Sequence, residues 1–465
     1  MWRTLFIASA AALPQEEHTI SVYSRPIRLR PSEVHNRMDA PVALPPDLAR
    51  RLANTTIAVS SFEVDVVEVV HARGRDGSFS RHERSAPLYE AYNHHFLTFL
   101  GTEEGLWRIY NHSADMDPIG GECVKPAHAH HVGGTNGHLA KKSGFSQFGG
   151  ASGAEFRNNP HRVPAPYAFL LSGVTHFASV LHLIGTGGVR DHSLEHAPLL
   201  ECPCTPQRHI NLARGTIDGC LPRPPFRCSD QLRAQGNSGC ALETYVGGYR
   251  CCEDGAFLVD TDKMPDVVRR PAATYHLKLT MTFREHLPER DIELHPTSCC
   301  DVTEPAAAAV DSFLGGNVEY DIPQCAEGTP QHECVHVATN VQPLDLSAHG
   351  DPDELVELVH AVGHLHYGGT SIELIDELSG QLVCRSVPTY GTGTAAGDEA
   401  GYLVGIQPCV WGPPPLKPPP RFKRSHPMRT IAYYNSSRAH TGVMSLWLMS
   451  AAVVDERGGA PTAVQ

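Results

Sequence analysis

The chain has 465 residues, enough for two or three domains with separate cores, and 41% hydrophobic against 19% charged residues describes a globular protein. Lys and Arg number 38 against 51 Asp and Glu, a net charge of −13. A phosphate-binding surface normally carries a basic stripe, so this balance argues against a nucleic-acid partner.

Residues 1–15, "MWRTLFIASAAALPQ", join a basic residue, a short apolar run and small residues near Ala12. That is the pattern of a secretory signal peptide, too short to cross a bilayer. Residues 16–49 read as an N-terminal extension. A first β-rich block is expected from 50 to 200. In "SFEVDVVEV", Phe62, Val64 and Val66 share one face, and Glu63 and Asp65 the other, a period-two strand pattern. "EAYNHHFLTFL" reads either as a strand that brings its two histidines together at an irregularity or, equally, as a half-buried strand with one histidine in and one out. Neighbours on a flat strand face opposite ways, so His94 and His95 could share a metal only at a bulge or a strand end. "AHAHHVGGTNGH" at 127–138 reads as an inserted loop whose His128, His130 and His131 are dispensable. "ASVLHLIGTGG" sets His182 on an apolar strand ahead of glycines, with His176 as its competitor.

Residues 201–270 are rich in Cys, Gly and Pro with little periodicity, and read as a disulfide-pinned excursion. A second β-rich block is expected from 271 to 455. It opens on "TYHLKLTMTF", with Tyr275, Leu277, Leu279, Met281 and Phe283 on one face. The segments "DPDELVELVHAV" and "TSIELIDELSG" are short helix candidates with ambiguous periodicity. The proline-rich, basic run "PPLKPPPRFKRSHPMR" reads as an exposed loop. "TGVMSLWLMSAAVV" is apolar for only about fourteen residues, where a membrane helix needs roughly 18. Residues 456–465 are a polar tail. The expected fold is mainly β: two jelly-roll or β-sandwich domains with the disulfide-rich excursion between them.

The 14 cysteines are even in number and clustered, as in the disulfide framework of a secreted protein. Candidates are Cys202, Cys204, Cys251, Cys252, Cys299, Cys300, Cys325, Cys334, Cys384 and Cys409. Zinc fits less well, because no CxxC is present. Acceptor sequons at Asn54, Asn111 and Asn435 agree with export. A soluble, extracellular monomer is the expectation.

The 28 histidines make motifs cheap. Chance alone would supply about two HH and about two HxH pairs, and the chain has two of each. Position is more informative than number. Residues two apart on a strand point to one face, so His364 and His366 in "AVGHLHYGGT" can meet one ion, with His360 on the same side. In "HTGVMSLWLM", His440, Gly442 and Met444 share a face. Two imidazoles with a thioether form a soft site that favours Cu(I). "GTGTAAG" at 391–397 lacks the Lys and helix of a phosphate loop and reads as a glycine turn. No GxSxG is present, and no catalytic residue is assigned beyond the metal ligands.

The motifs "PLYEAYNHHFLTFL", "SVLHLIGTGGVRD", "ECPC", "YRCCEDG", "GHLHYGGTSIELI", "LVCRSVPTYGTGTAAGDEAGYLVGIQPC" and "NSSRAHTGVMSLWLM" resemble, in that order, the stress up-regulated Nod 19 proteins. The resemblance runs from roughly residue 50 to 452 and is most specific from Val383 to Cys409. It implies an extracellular protein of no agreed activity. More distantly, the motif order resembles the copper type II, ascorbate-dependent monooxygenases of the peptidylglycine hydroxylating kind. That resemblance implies two β-sandwich domains with one copper each. His94, His95 and His182 would hold the first ion, and His364, His366 and Met444 the second; His360 and His440, on the same strand faces as the second set, are candidate outer partners. It also implies ascorbate as reductant and a small-molecule or peptide substrate of unknown identity. The competing reading is a non-catalytic extracellular protein that binds copper or associates with cell wall or glycan.

Overall fold

The computed structural model describes residues 16–73, 79–115, 144–158, 161–187, 266, 269–302, 320–345, 351–438 and 440–454. The signal-like segment, the 127–138 insertion, the polar tail, Cys202, Cys204, Cys251 and Cys252 lie outside the described residues.

The N-terminal part contains β1 (His18–Tyr23), β2 (Ile27–Leu29), β3 (Val34–Ala43), α1 (Pro46–Leu52), β4 (Thr56–Arg73), β5 (Phe79–Ser85), β6 (Ala91–Gly101), α2 (Glu103–Asp115), β7 (Phe145–Ser152), β8 (His161–Arg162), β9 (Tyr167–Ser172) and β10 (His176–Gly185). After the excursion come β11 (Ala273–Glu285) and β12 (Ile292–Glu293). An eight-stranded sheet runs β1-β11-β4-β9-β12 with β2, β5 and β8 at its margins, and a four-stranded sheet runs β3-β10-β6-β7. The alternating residues foreseen in β4 and β11 do face inward. Phe62, Val64, Val66, Leu277, Leu279 and Met281 pack against Phe96, Leu100, Phe177 and Leu181 of the second sheet.

Strand pairing crosses two of the boundaries expected from composition. β1, β2 and β3, from residues 16–49, are integral strands, because β1 pairs with β11 along its whole length and β3 pairs with β10. β11 and β12, from beyond residue 270, join the first sheet through β4 and β9. A strand's partner is chosen by register and burial rather than by distance along the chain.

The C-terminal part contains β13 (His295–Asp301), β14 (Tyr320–Ile322), β15 (Val335–Pro343), β16 (Leu355–Leu365), β17 (Gly369–Asp376), β18 (Leu382–Ser386), β19 (Pro388–Tyr390), β20 (Leu403–Ile406), β21 (Cys409–Val410), β22 (Arg421–Lys423), β23 (Pro427–Asn435), β24 (His440–Val443) and β25 (Ser445–Val453). Its main sheets run β13-β25-β16-β21, with β22 beside β16, and β15-β23-β17-β18. Val356, Leu358, Trp447 and Met449 of one meet Ala338, Ile372, Met428 and Tyr434 of the other. The architecture is mainly β and sandwich-like.

Both helix candidates are corrected to strands, β16 and β17. β16 is buried along nearly its whole length. A strand covered on both faces loses its polar alternation, and its short apolar run then looks like a buried helix. α2, which the reading of the chain did not foresee, is capped by the Thr102 hydroxyl accepting the Gly105 N–H at 3.0 Å. Its Leu106 and Ile109 cover Leu97, Phe99 and Val180 on the outer side of β6 and β10. β6 is consequently buried throughout rather than half-buried.

Cys325 is bonded to Cys334, Cys384 to Cys409, and Cys300 is also disulfide-bonded. None of the described cysteines is free. In the basic run, Arg421 pairs with Glu357, Arg424 with Asp345 and Glu354, and Arg429 with Glu377.

Candidate metal centre

Two bulges build the site. Where β6 meets β10, His95 pairs with His182 and Asn93 with Leu183, which leaves His94 as an extra residue. A bulge of this kind turns neighbouring side chains that a regular strand would send to opposite faces. His94 Nδ1 lies 2.8 Å from His95 Nδ1, and His95 Nδ1 lies 3.4 Å from His182 Nδ1. The His94 and His182 ring centres are 4.4 Å apart. His176, the alternative to His182, sits at the far end of β10 beside Gly101.

On β16, Leu358 pairs with Ala451 and His360 with Ser450, so Val359 is the extra residue. Beyond it Val359 packs into the first core, and a row of polar side chains meets the N-terminal sandwich. Glu357 accepts a hydrogen bond from the Tyr167 hydroxyl at 2.6 Å. His360 lies with its ring centre 4.6 Å from that of His161. His364 Nδ1 is 2.6 Å from Glu155 Oε1, and His366 Nε2 is 3.1 Å from His95 Nε2.

The five ligand candidates from the two sandwiches therefore form one cluster rather than two remote sets. All five are buried, none more than 2% exposed. Ligand atoms of His94, His95 and His366 all lie within 4.8 Å of one another. Two nitrogens bound to one tetrahedral ion at about 2.0 Å are about 3.3 Å apart, so the observed separations suit a metal. The donor chemistry suits it too. His364 Nδ1 faces Glu155, and its Nε2 is buried with no hydrogen-bond partner among the described residues. An orphaned acceptor of this kind is costly without a ligand.

Met444 is fully buried where the chain passes from β24 to β25. Ser445 pairs with Leu365, which puts Met444 at the register position opposite His366. The Tyr434 hydroxyl ties the two backbones together, accepting the His366 N–H at 3.0 Å and donating to the Met444 carbonyl at 2.7 Å. His440 packs against the turn after His366. A Cβ on Gly368 would fall 2.5 Å from its ring, and His440 Nε2 is 3.0 Å from the Asn435 carbonyl. His360 belongs instead with His161, stacked near Phe156 and Phe62. Burial holds the His360 pKa down at about 4 and that of His161 well below its usual value, the latter helped by His360.

Glu155 and Tyr434 were not visible as site residues in the sequence. "GAEFRN" carries no motif. Tyr434 did leave a trace, since the alternation of β23 turns it inward and a buried tyrosine hydroxyl needs a partner. Of the sequons, Asn54 and Asn111 are exposed, while Asn435 is half-buried with its Oδ1 accepting the Ser437 N–H at 2.9 Å.

Residues 227–454 match the family model described as stress up-regulated Nod 19. This stretch belongs to the Nod 19 family. Within the Nod 19 match lie His364, His366, Met444 and Tyr434, whereas His94, His95, His182 and Glu155 fall before it. No curated protein matches the chain. Among solved structures, the insecticidal delta-endotoxin Cry8Ea1 of Bacillus thuringiensis is similar at 9% identity over 91% of this chain, with a TM-score of 0.14. The chain spans 60% of the toxin's length. A structure of infectious bursal disease virus, Gx strain, aligns at 11% identity over 98% of this chain and 76% of its own, also with a TM-score of 0.14.

Proposed function

We propose that the protein is a secreted copper-binding oxidoreductase whose ions occupy two adjoining donor sets. The Nδ1 atoms of His94, His95 and His182 make the first. The Nε2 atoms of His364 and His366, with the Met444 thioether, make the second. The observation that carries this reading is the convergence of five buried imidazoles from two sandwiches. Copper held there would supply one-electron exchange between Cu(I) and Cu(II), which a soft thioether and imidazole set supports. The chain's own residues exclude bulk water and hold both sets in register. The disulfides and the lack, among the described residues, of a helix long and apolar enough to cross a membrane are compatible with secretion.

A second reading, copper retention without turnover, draws on the depth of burial, because a substrate needs an opening to reach the ions. Metal analysis of untagged, secreted protein tests both. Two coppers per chain, falling to one in a His364→Ala/His366→Ala variant, support the centre, and no copper after dialysis overturns it. Oxygen uptake with ascorbate, with and without candidate peptides, separates turnover from retention.

A further inference from the structure

We infer that Glu155 is a positioning residue of the metal centre, supplied by the N-terminal sandwich to orient a ligand of the C-terminal one. The inference rests on the metal-centre reading. Glu155 begins with its neighbours a short 3-10 turn, Ala154–Asn158, that follows β7 and lies between the two sandwiches. Its carboxylate is 6% exposed and 2.6 Å from His364 Nδ1. Both carboxylate oxygens also sit 3.1 Å from the Gly153 N–H, which fixes the side chain from behind. Gly153 leaves no room for a side chain, since a Cβ there would lie 2.4 Å from the His94 carbonyl oxygen and 3.0 Å from Glu155 Oε2. The turn is thus pressed onto the bulge that carries one donor set while its carboxylate grips the other.

The chemistry follows from the shape of imidazole. A carboxylate accepts and does not donate, so the proton of His364 belongs on Nδ1. Nε2 then keeps its lone pair, on the side of the ring away from Glu155, and it is this atom that is buried without a partner among the described residues. The rings of His366 and His95 lie 5.1 and 5.2 Å from that of His364. Carboxylates that hold metal-ligating histidines in this way fix their tautomer and ring angle. Two residues further on, Arg157 pins the same turn. It reaches Asp65 at 2.7 Å and the Ala86 carbonyl at 2.8 Å in its own sandwich, and Glu399 at 3.1 Å in the other. The fully buried Glu399 also accepts the Leu88 N–H at 2.9 Å.

A double-mutant cycle on the full chain, with copper alone as the probe, tests the inference. Copper affinity is measured by competition with a chelator for the wild type, Glu155→Ala, His364→Ala and the double variant. Glu155→Ala is expected to weaken binding about 10–100-fold in the native background and to change nothing further once His364 is alanine. Glu155→Gln keeps the shape and an accepting oxygen, so its loss is smaller, and the Cu(II) paramagnetic spectrum shifts for Ala more than for Gln. Equal losses from Glu155→Ala in both backgrounds overturn the positioning role, as do unchanged affinity and spectrum in a copper-loaded Glu155→Ala protein. A wild type that holds no copper overturns the centre itself, a different result from either.

Discussion

His95 and His366 stand 271 residues apart in the chain and 3.1 Å apart at their Nε2 atoms. His95 turns its other nitrogen toward His94 and His182, so one ring faces both donor sets. His95→Ala, which leaves His364, His366 and Met444 in place, is expected to leave about one copper per chain by elemental analysis, held less tightly because the lost ring also faces His366. His366→Ala, which leaves the first set whole, is expected to leave about one.

Tyr434→Phe removes the hydroxyl that satisfies the His366 N–H and the Met444 carbonyl and leaves the ring in place. Two buried backbone groups then lose a partner, at a cost of about 1–3 kcal/mol. The midpoint of urea unfolding should fall accordingly, and copper affinity with it, because both ligand-bearing segments lose their common tie.

Glu399→Ala strips a buried acceptor from Arg157 and from the Leu88 N–H. Breaking one side of a buried ion pair costs about 3 kcal/mol or more. Asp65 still holds Arg157, so the expected loss lies at the low end, read as a lower guanidinium midpoint.

The His161–His360 contact predicts acid sensitivity. His360 binds its proton less readily when folded, at about 4, than at its ordinary 6.5. Between those values the unfolded chain takes up a proton that the folded one refuses, so stability falls as pH drops from 6.5 towards 4 and this contribution levels off below. For a fully buried ring the effect is roughly 3 kcal/mol. Unfolding midpoints at pH 7.5 and 4.5 should therefore differ less in His360→Leu than in the wild type.

The Cys384–Cys409 bond closes a loop of sequence separation 25. Replacing both cysteines by serine should cost about 3 kcal/mol through the freed unfolded chain, measured by denaturant unfolding.

Much of the fold was legible because amphipathic strands advertise themselves. Phe62, Val64 and Val66, and Leu277, Leu279 and Met281, alternate in sequence as they do in the sheet. Legibility failed where a strand is covered on both sides. β16 resembled a helix, and β6 resembled a half-buried strand until α2 was found over its outer face. At the site, the residue types and the need for a bulge at His94 and His95 could be read locally. The convergence of the two sets, and the parts of Glu155 and Tyr434, could not.

The sequence by itself determined a mainly β chain, its paired cysteines and a set of soft and imidazole donors in a fixed order. Only the tertiary structure decided that β6 and β16 each carry a bulge, that His95 meets His366, and that Glu155 of one sandwich grips His364 of the other. Local patterning encodes which side of a strand is apolar. Which strands face each other is set by burial and register summed over the whole molecule, and no short stretch of sequence contains that sum.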